Sequence, residues 1–353
     1  MSVVTPPAGS TRAATIYDVA RLAGVSHQTV SRVLNDEPGT RAATRERVRA
    51  AIASLGYRRN SAATALASRR SHRLGALVTG MLESGPSKFI DGAATAARQA
   101  GYVLDIVSLD HTGRDATQAT DLLDQHDLAG VVILAPSDQV HAALATWRPR
   151  VPVLVATALE DDHTDPDGHT GNTAATRAAV EHLLGLGHTR IALVAGPDHW
   201  ASAAARTHAY HATMAAHRLP SLPVIPGDWS ARSGHLAGHA LDPTTTTAVL
   251  AANDQMALGV IRALSERGIA VPEAISAIGI DDIPEAGYFL PPLTTVHLDF
   301  HGYGHHAITT LLRTIDPVGT RPTPAPEPPR LVVRASTAPP VASAATVAAP
   351  AVR

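Results

Sequence analysis

Apolar residues near the start of the chain recur at the spacing of a helix. Between residues 15 and 34 they form two short stripes, which predict two helices joined at Gly24-Val25-Ser26. Thr15 can cap the first helix with its hydroxyl, Gly24 can take the left-handed conformation that ends it, and Ser26 can cap the second. This stretch therefore predicts a helix-turn-helix.

A third helical stripe follows over residues 40–55, and Gly56 can end it. The residues predicted to share its buried side are Val48, Ala51, Ile52 and Leu55. Three helices would complete a small headpiece. The next segment, 60–68, has few apolar residues to bury and is too short to form a stable helix alone in water.

From residue 73 onward, short apolar runs alternate with helical patterns. The predicted strands are 74–80, 102–109, 130–136, 151–157, 190–196, 223–229, 248–254, 274–282 and 294–300, and the predicted helices are 86–100, 115–127, 173–186, 202–217 and 255–267. This alternation predicts an α/β body with doubly wound parallel sheets. A polar loop at 160–172, with the turn Pro166-Asp167-Gly168, separates two such series and predicts a crossing between two subdomains.

Charge is distributed unevenly along the chain. Residues 1–73 hold twelve Arg and four acidic residues, a net charge of +8, and the whole chain carries −2, so the remaining 280 residues carry −10. A basic head attracts phosphate groups through release of their counterions, while an acidic body is repelled by the duplex. The asymmetry favours DNA as the partner of the headpiece.

Several classes of protein are disfavoured. The chain has no cysteine, hence no disulfide and no zinc-thiolate site. It shows neither a secretory signal nor a run of about 18 apolar residues, so we expect a cytoplasmic, nucleoid-associated protein without membrane contact. GxSxG, HExxH and P-loop motifs are absent from the sequence, and GYGHHA at 302–307 only formally fits a dinucleotide-binding pattern. We expect no enzyme, no cofactor and no metal, since the histidines considered as ligands lack a plausible scaffold: His163, His169, His305 and His306.

The predicted outer side of the second helix suits the major groove of DNA. Its side chains are His27, Gln28, Thr29, Ser31, Arg32 and Asn35. Gln and Arg make paired hydrogen bonds to base edges, while Thr, Ser and Asn can bind bases or phosphates. The alternative is an ordinary helical hairpin, and the third helix and the basic charge favour the DNA-binding interpretation.

Three phrases carry a resemblance to a known family: TIYDVARLAGVSHQTVSRVLN, TRERVRAAIASLGYRRN and ALASRRSHRLG. They resemble the LacI family of bacterial repressors, and the similarity extends to about residue 337. Within the family, GDWSARSG, ANDQMALG and FLPPLTTVHLDF look most similar to the lactose-type repressors. The resemblance implies a homodimer that binds a pseudo-palindromic operator, with Leu66 placed to wedge into the minor groove. The expected DNA-binding residues are Thr15, Tyr17, Ser26, His27, Gln28, Thr29, Ser31, Arg32, Asn35, Asn60, Ala63 and Leu66.

The same resemblance sets the expected domains. The fold class is a periplasmic-binding-protein-like α/β core of two doubly wound subdomains behind an all-α helix-turn-helix headpiece. The expected limits are a disordered N-terminus at 1–14, a headpiece at 15–59, a hinge helix and linker at 60–72, a core at 73–337 and a disordered tail at 338–353. Within the core, subdomain 1 is expected at about 73–171 and 300–322, and subdomain 2 at about 172–299 and 323–337.

A cleft between the subdomains is implied to hold a small sugar, most simply a β-galactoside-like inducer that releases the operator. Carried over residue by residue, the effector-binding residues are Ser202, Arg206, Trp229, Asn253, Asp281 and Phe300. Asn253 and Asp281 can bond hydroxyl groups, Arg206 offers a rigid fork for two oxygens, and Trp229 offers a flat face for a pyranose ring. Other interpretations remain: Asn253 caps the following helix, Asp281 bonds within the turn at Asp282, and Trp229 is ordinary core.

Two positions depart from the lactose-type pattern. Thr157 stands where those repressors have an aspartate, and Thr170 stands where they have an aromatic residue. A regulator of another ligand is therefore one alternative, and a sugar-binding module without DNA regulation is a second. The Ala/Pro/Val-rich tail has no leucine heptad, so we expect a dimer rather than a tetramer.

Overall fold

The structure is a computed structural model that describes residues 14–34, 38–57, 71–110, 114–134, 138–156, 171–317 and 324–341. It divides into two compact units, Met1–Ser71 and His72–Arg353. Several predictions lie outside the described residues: the hinge at 60–68, the turn at 166–168, and the residues Asn35, Asn60, Ala63, Leu66, Thr157 and Thr170.

The first unit contains three helices, α1 (Ile16–Ala23), α2 (His27–Leu34) and α3 (Ala42–Leu55). Thr15 caps α1 in a reciprocal capping box with Asp18, and Gly24 ends it in the left-handed conformation at φ 62°. The buried residues are Val19, Ala20, Ala23, Val30, Val33, Val48 and Ala51. The prediction for Leu55 is wrong: its side chain is 37% exposed, because Ile52 and Tyr57, and not Leu55, pack against this cluster at the end of α3.

The second unit begins with a four-stranded parallel sheet. Its elements are β1 (Arg73–Thr79), α4 (Ser84–Gln99), β2 (Val103–Leu109), α5 (Ala116–Asp124), β3 (Gly130–Leu134), α6 (Asp138–Leu144) and β4 (Val153–Val155), with strand order β2-β1-β3-β4. β1 is buried on both faces, since Ala76 and Leu77 pack into different clusters on opposite sides of the sheet. We call this sheet and its helices the first lobe.

A five-stranded sheet forms the second lobe. Its elements are α7 (Gly171–Gly185), β5 (Ile191–Val194), α8 (Ala201–Ala216), α9 (Ala231–Ala240), β6 (Ala248–Ala251), α10 (Asp254–Glu266), β7 (Ser276–Asp281), β8 (Thr294–His297) and β9 (Arg330–Val332). The order is β5-β6-β7-β8-β9, and only the pairing of β8 with β9 is antiparallel. The expected fold class is confirmed: a helical headpiece precedes an α/β core with doubly wound parallel sheets.

A long helix, α11 (Phe300–Ile315), returns to pack on α4 of the first lobe. The two helices approach closely because Gly92 and Gly304 have no side chains. A Cβ at Gly92 would lie 1.9 Å from the carbonyl oxygen of His301, and one at Gly304 would lie 1.9 Å from that of Phe89. Among the described residues, no helix is both long and apolar enough to cross a membrane.

Two local predictions need correction. The strand expected at 223–229 is reduced to one bridge, in which Ile225 pairs with Val194 at the edge of β5. Pro223 and Pro226 flank that bridge and have no N–H to extend the ladder. The helices α6 and α9 were not predicted. In α9, Gly234 permits close packing against α10, since a Cβ there would lie 2.0 Å from the carbonyl oxygen of Met256.

The chain after β9 stays attached to the second lobe. The Ser336 hydroxyl donates to the carbonyl oxygen of Ala277 at 2.6 Å, and the backbone N–H of Ala338 donates to the Ser276 hydroxyl at 3.0 Å. Packing against β7 thus includes Ala338, which we had placed in the disordered tail. Arg334 adds an ion pair with Asp282 at 2.8 Å.

Candidate functional site

The first candidate surface is the outer side of α2 in the headpiece. Ser26, His27, Gln28 and Arg32 are exposed, and Thr29 and Ser31 are half-buried. Tyr17 is 61% exposed on α1, and its ring lies 5.2 Å from the ring of His27. Those seven of the predicted DNA-binding residues are therefore accessible on the headpiece, and their contacts with DNA remain a prediction.

Two of the predicted DNA-binding residues in the headpiece have hydroxyl groups that already serve the fold. The Thr15 hydroxyl accepts from the backbone N–H of Asp18 at 3.3 Å and donates to the Asp18 carboxylate at 2.6 Å. The Ser26 hydroxyl accepts from the backbone N–H of Thr29 at 3.2 Å. Both residues begin helices, so their first role is to hold α1 and α2 in place.

The second candidate site is a cavity of about 570 Å³, partly open to solvent, within the second unit. It lies at the carboxyl ends of the parallel strands, where open α/β sheets bind small molecules. All six predicted effector-binding residues line it: Ser202, Arg206, Trp229, Asn253, Asp281 and Phe300.

Arg206 is held by the protein on three sides. Its Nε donates to the Asn172 side-chain oxygen at 2.9 Å, its Nη1 donates to the carbonyl oxygen of Ala252, and its Nη2 lies 3.5 Å from Asp281 Oδ1. The guanidinium carbon also lies 5.4 Å from the centre of the Trp229 ring. The sequence suggested a fork free for two ligand oxygens, but two of its nitrogens are already engaged. Nη2 is the nitrogen best placed to reach a ligand together with Asp281.

Asp281 is a buried carboxylate, 5% exposed. Burial raises its pKa to about 6, even though Arg206 and Lys88 lower it. Burial likewise lowers the pKa of Arg206, so desolvation outweighs the attraction for both partners. Because 3.5 Å is long for a hydrogen bond, Asp281 Oδ1 has an ion-pair neighbour but no hydrogen-bond donor among the described residues. Asp281 lines the cavity, and this oxygen is buried beside Nη2 of Arg206.

Asn253 behaves as the alternative interpretation expected. Its side-chain oxygen caps α10 by accepting from the backbone N–H of Met256 at 2.9 Å, and its Nδ2 donates to the carbonyl oxygen of Trp229 at 3.0 Å. Asn253 thereby fixes the backbone of Trp229, which has a positive φ of 69°. A conformation so rarely adopted by L-residues is strained and is typical of functional sites.

The Trp229 ring forms one wall of the cavity. It lies against the backbone at Gly196, where a Cβ would sit 2.2 Å from the indole, and its ring centre is 5.8 Å from that of Trp200. Its Nε1 has no hydrogen-bond acceptor among the described residues. The wall thus offers an apolar face, which suits a small ring such as a pyranose.

Sequence reasoning missed several polar groups around this cavity. Glu83 lines it, and burial together with the charges of Asp281 and Asp228 raises the Glu83 pKa to about 7. Asn172 escaped notice because its partner Arg206 is remote in sequence. Asp254 begins α10 beneath the cavity, and burial followed by repulsion from Asp281 raises its pKa to about 8. Acidic residues at strand ends are the signal that could have found Asp254.

One polar contact joins the two lobes beside the cavity. Lys88, on α4, donates to the carbonyl oxygen of Asp282 at 3.4 Å. At the first turn of α4, Gly85 leaves room for the ring of Phe300, which would lie 2.8 Å from a Cβ there. Groups from both lobes therefore surround the same space.

Comparisons with known proteins agree with this architecture. Residues 15–60 match the family described as bacterial regulatory proteins, lacI family, and residues 180–337 match a periplasmic binding protein-like domain. Over 305 residues the chain is 36% identical to the lactose operon repressor of Escherichia coli strain K12, covering 85% of this chain and 84% of that protein. It is 31% identical over 318 residues to the ribose operon repressor of the same strain, covering 88% and 94%.

Solved structures show the same similarity. The Lac repressor dimer bound to operator and the anti-inducer ONPF superposes with a TM-score of 0.77 at 32% identity, covering 93% of this chain and all of that one. A complex of the transcriptional regulator CelR with cellobiose superposes with a TM-score of 0.65 at 27% identity, covering 92% and 99%.

Proposed function

The chain belongs to the lacI family of bacterial regulatory proteins, and we propose that it represses sugar-utilisation genes until a small sugar, most simply a β-galactoside-like inducer, releases it from its operator. It is a DNA-binding transcriptional regulator of sugar metabolism, and its relatives are repressors rather than enzymes. The observation that carries the proposal is the cavity lined by an aromatic ring, a buried carboxylate and an arginine held by hydrogen bonds.

DNA recognition rests on α2. The exposed Gln28 and Arg32 side chains have the geometry for paired hydrogen bonds to base edges, and the exposed His27 lies beside them. A single helix reads only a few base pairs, so we propose a homodimer on a pseudo-palindromic operator, as in the solved dimer of the Lac repressor with its operator. We propose that the protein acts in the nucleoid.

Sugar recognition rests on Asp281, Arg206 and Trp229, with Ser202, Asn253 and Phe300 completing the proposed site. We propose that the Asp281 carboxylate accepts from a sugar hydroxyl, that Arg206 Nη2 donates to a second oxygen, and that the pyranose packs on Trp229. Each hydrogen bond to a charged group contributes about 1.5 to 3 kcal/mol. A ligand held by both lobes would stabilise the closed arrangement that Lys88 and Asp282 already join.

Release of DNA requires a connection between the cavity and the headpiece. We keep the domain limits given above as part of the proposal, including the hinge at 60–72, which lies mostly outside the described residues. In this proposal, movement of the lobes separates two hinges that pair on the operator, and Leu66 no longer enters the minor groove.

Which sugar the protein binds is a separate part of the proposal. Relatives named for ribose and a regulator solved with cellobiose show that the family serves more than one sugar. A regulator of another sugar is therefore the second candidate, favoured by the departures at Thr157 and Thr170.

The test begins with selection of genomic DNA fragments by the purified chain. Binding of the selected duplex and of a random duplex is then measured at one fixed salt concentration, with and without lactose, a β-galactoside, cellobiose and ribose. We expect one pseudo-palindromic sequence to bind at least about a thousandfold more tightly than random duplex, and one sugar to abolish that preference. Failure to enrich any sequence would contradict the DNA-binding role, whereas enrichment without an effect of any sugar would contradict the effector role alone.

Variants separate the two sites. Gln28→Ala should weaken operator binding by at least about fivefold for each half-site, the lower end of the value for a paired base contact, and leave random duplex unaffected. Asp281→Asn should abolish the sugar response and leave operator affinity unchanged. If Gln28→Ala weakens both duplexes equally, α2 does not read the bases.

A further inference from the structure

A cluster of metal-ligating side chains lies away from the cavity, on the surface of the second lobe. His235 and His239 are four residues apart on α9, so they share one face of that helix. Their rings are 4.6 Å apart between centres. Glu266, the last residue of α10, faces them both.

The three side chains converge on one point. Glu266 Oε2 lies 2.7 Å from His235 Nε2 and 3.3 Å from His239 Nε2, and the ligand atoms of the three residues all lie within 4.8 Å of one another. Two imidazole nitrogens and one carboxylate oxygen are a ligand set that Zn²⁺ accepts, with a water molecule as the fourth ligand. Such an arrangement needs only small side-chain rotations to place each atom about 2.1 Å from an ion.

The packing of α9 against α10 fixes this geometry. A Cβ at Gly234 would lie 2.0 Å from the Met256 carbonyl oxygen, and one at Gly259 would lie 1.9 Å from the Ala231 carbonyl oxygen, so the backbones are in close contact. Rigid backbones bring the imidazoles and the carboxylate together without an ordering cost for the helices. The ligands themselves remain accessible, since the side chains of His235, His239 and Glu266 are 34%, 45% and 36% exposed.

Arg262 is a further neighbour of Glu266. Its Nε donates to Glu266 Oε1 at 2.6 Å, and not to the oxygen that faces the histidines. One carboxylate oxygen is thus oriented by a hydrogen bond while the other points to the imidazoles, which is how outer groups orient metal ligands. The guanidinium charge opposes a dication, but the Arg262 side chain is 72% exposed and its charge is screened by water.

We propose that His235, His239 and Glu266 form a surface site for Zn²⁺ on the second lobe. The sequence reading missed it because α9 was not predicted, and without a helix the spacing of the two histidines carries no meaning. Divalent ions that prefer oxygen ligands, such as Mg²⁺, should bind there poorly, because two of the three protein ligands are imidazoles.

The experiment titrates the full chain, freed of metal by a chelator, with Zn²⁺ and separately with Mg²⁺ in a calorimeter. Wild type should bind one Zn²⁺ per chain at a site that Mg²⁺ does not occupy. His239→Gln and Glu266→Gln should each weaken that site by at least about tenfold, as expected when a ligand is lost.

The matched control is His217→Gln. His217 forms an exposed pair with Glu181 at 2.9 Å, with similar side-chain exposures of 43% and 46%, but no second histidine joins it among the described residues. Zn²⁺ binding should be unchanged in this variant, and thermal melting should show that all variants remain folded. Equal Zn²⁺ affinity in His239→Gln and His217→Gln, or no stoichiometric binding by wild type, would overturn the proposal.

Discussion

Replacing Asp281 with asparagine should make the protein more stable at neutral pH while it abolishes the response to sugar. The carboxyl group has a pKa of about 6, against an ordinary value of 3.8. Each pKa unit corresponds to about 1.4 kcal/mol, so ionised Asp281 lowers the free energy of unfolding by about 3 kcal/mol above pH 6 or so. The side chain is only 5% exposed, and solvent screening removes little of this effect.

The sign follows from proton binding. Between about pH 4 and pH 6 the folded chain holds a proton on Asp281 that the unfolded chain has released, so the contribution of this group to stability falls as pH rises through that window. An amide has no such proton to lose. The free energy of unfolding of the Asp281→Asn variant should therefore exceed that of wild type by about 2 to 3 kcal/mol at pH 7.5 and match it near pH 4.

Chemical denaturation at several pH values measures this difference. Asp105→Asn is a suitable control, because it breaks an ion pair with Arg73 whose side chains are 25% and 44% exposed. That change should lower stability by at most about 1 kcal/mol. If Asp281→Asn is less stable than wild type at neutral pH, or if the gap is constant from pH 4 to pH 8, attraction by Arg206 outweighs burial and our reasoning is wrong.

Other changes test separate parts of the molecule. Gly92→Ala should destabilise the second unit by about 1 to 3 kcal/mol in denaturation, because its Cβ would strike the His301 carbonyl oxygen. The matched Gly185→Ala, in a helix with no atom within 4 Å of its Cβ, should be neutral or stabilising by up to about 1 kcal/mol; equal losses would refute the close approach. Thr15→Ala should lower the stability of the headpiece by about 1 kcal/mol, read from its thermal melting, and no loss would contradict the capping box. Sedimentation of the full chain should show a dimer, and a tetramer would contradict our interpretation of the tail.

Local signals predicted the headpiece well. The cap at Thr15 and the left-handed turn at Gly24 depend on residues within one helical turn, so the sequence pattern contains them. The prediction for Leu55 is wrong for the opposite reason, because burial at the last turn of α3 depends on where the other two helices end. The strand predicted at 223–229 is wrong because the prolines at 223 and 226 cannot donate hydrogen bonds to a ladder, although the apolar pattern favours a strand.

In the cavity, too, local patterns in the sequence were predictive and contacts between distant residues were not. Asp281 and Asn253 could be singled out because apolar runs mark where each predicted strand ends, and the family resemblance implied their role. The hydrogen-bond partners of Arg206 could not be predicted from the sequence, because Asn172 comes from another helix and its contact depends on tertiary packing. Helix α9 was missed because its glycines disfavour an isolated helix, whereas contact with α10 requires them.

The three attachments of Arg206 have an evolutionary consequence. Its side chain is ordered before any ligand arrives, so the rotamer entropy of about 2 kcal/mol is lost during folding and does not weaken ligand binding. The same contacts make residue 206 hard to exchange, because a substitution would remove the hydrogen bond to Asn172 and the charge beside Asp281. Divergence towards a new sugar should therefore proceed through the rim, at positions such as Ser202 and Glu83, while the arginine stays constant.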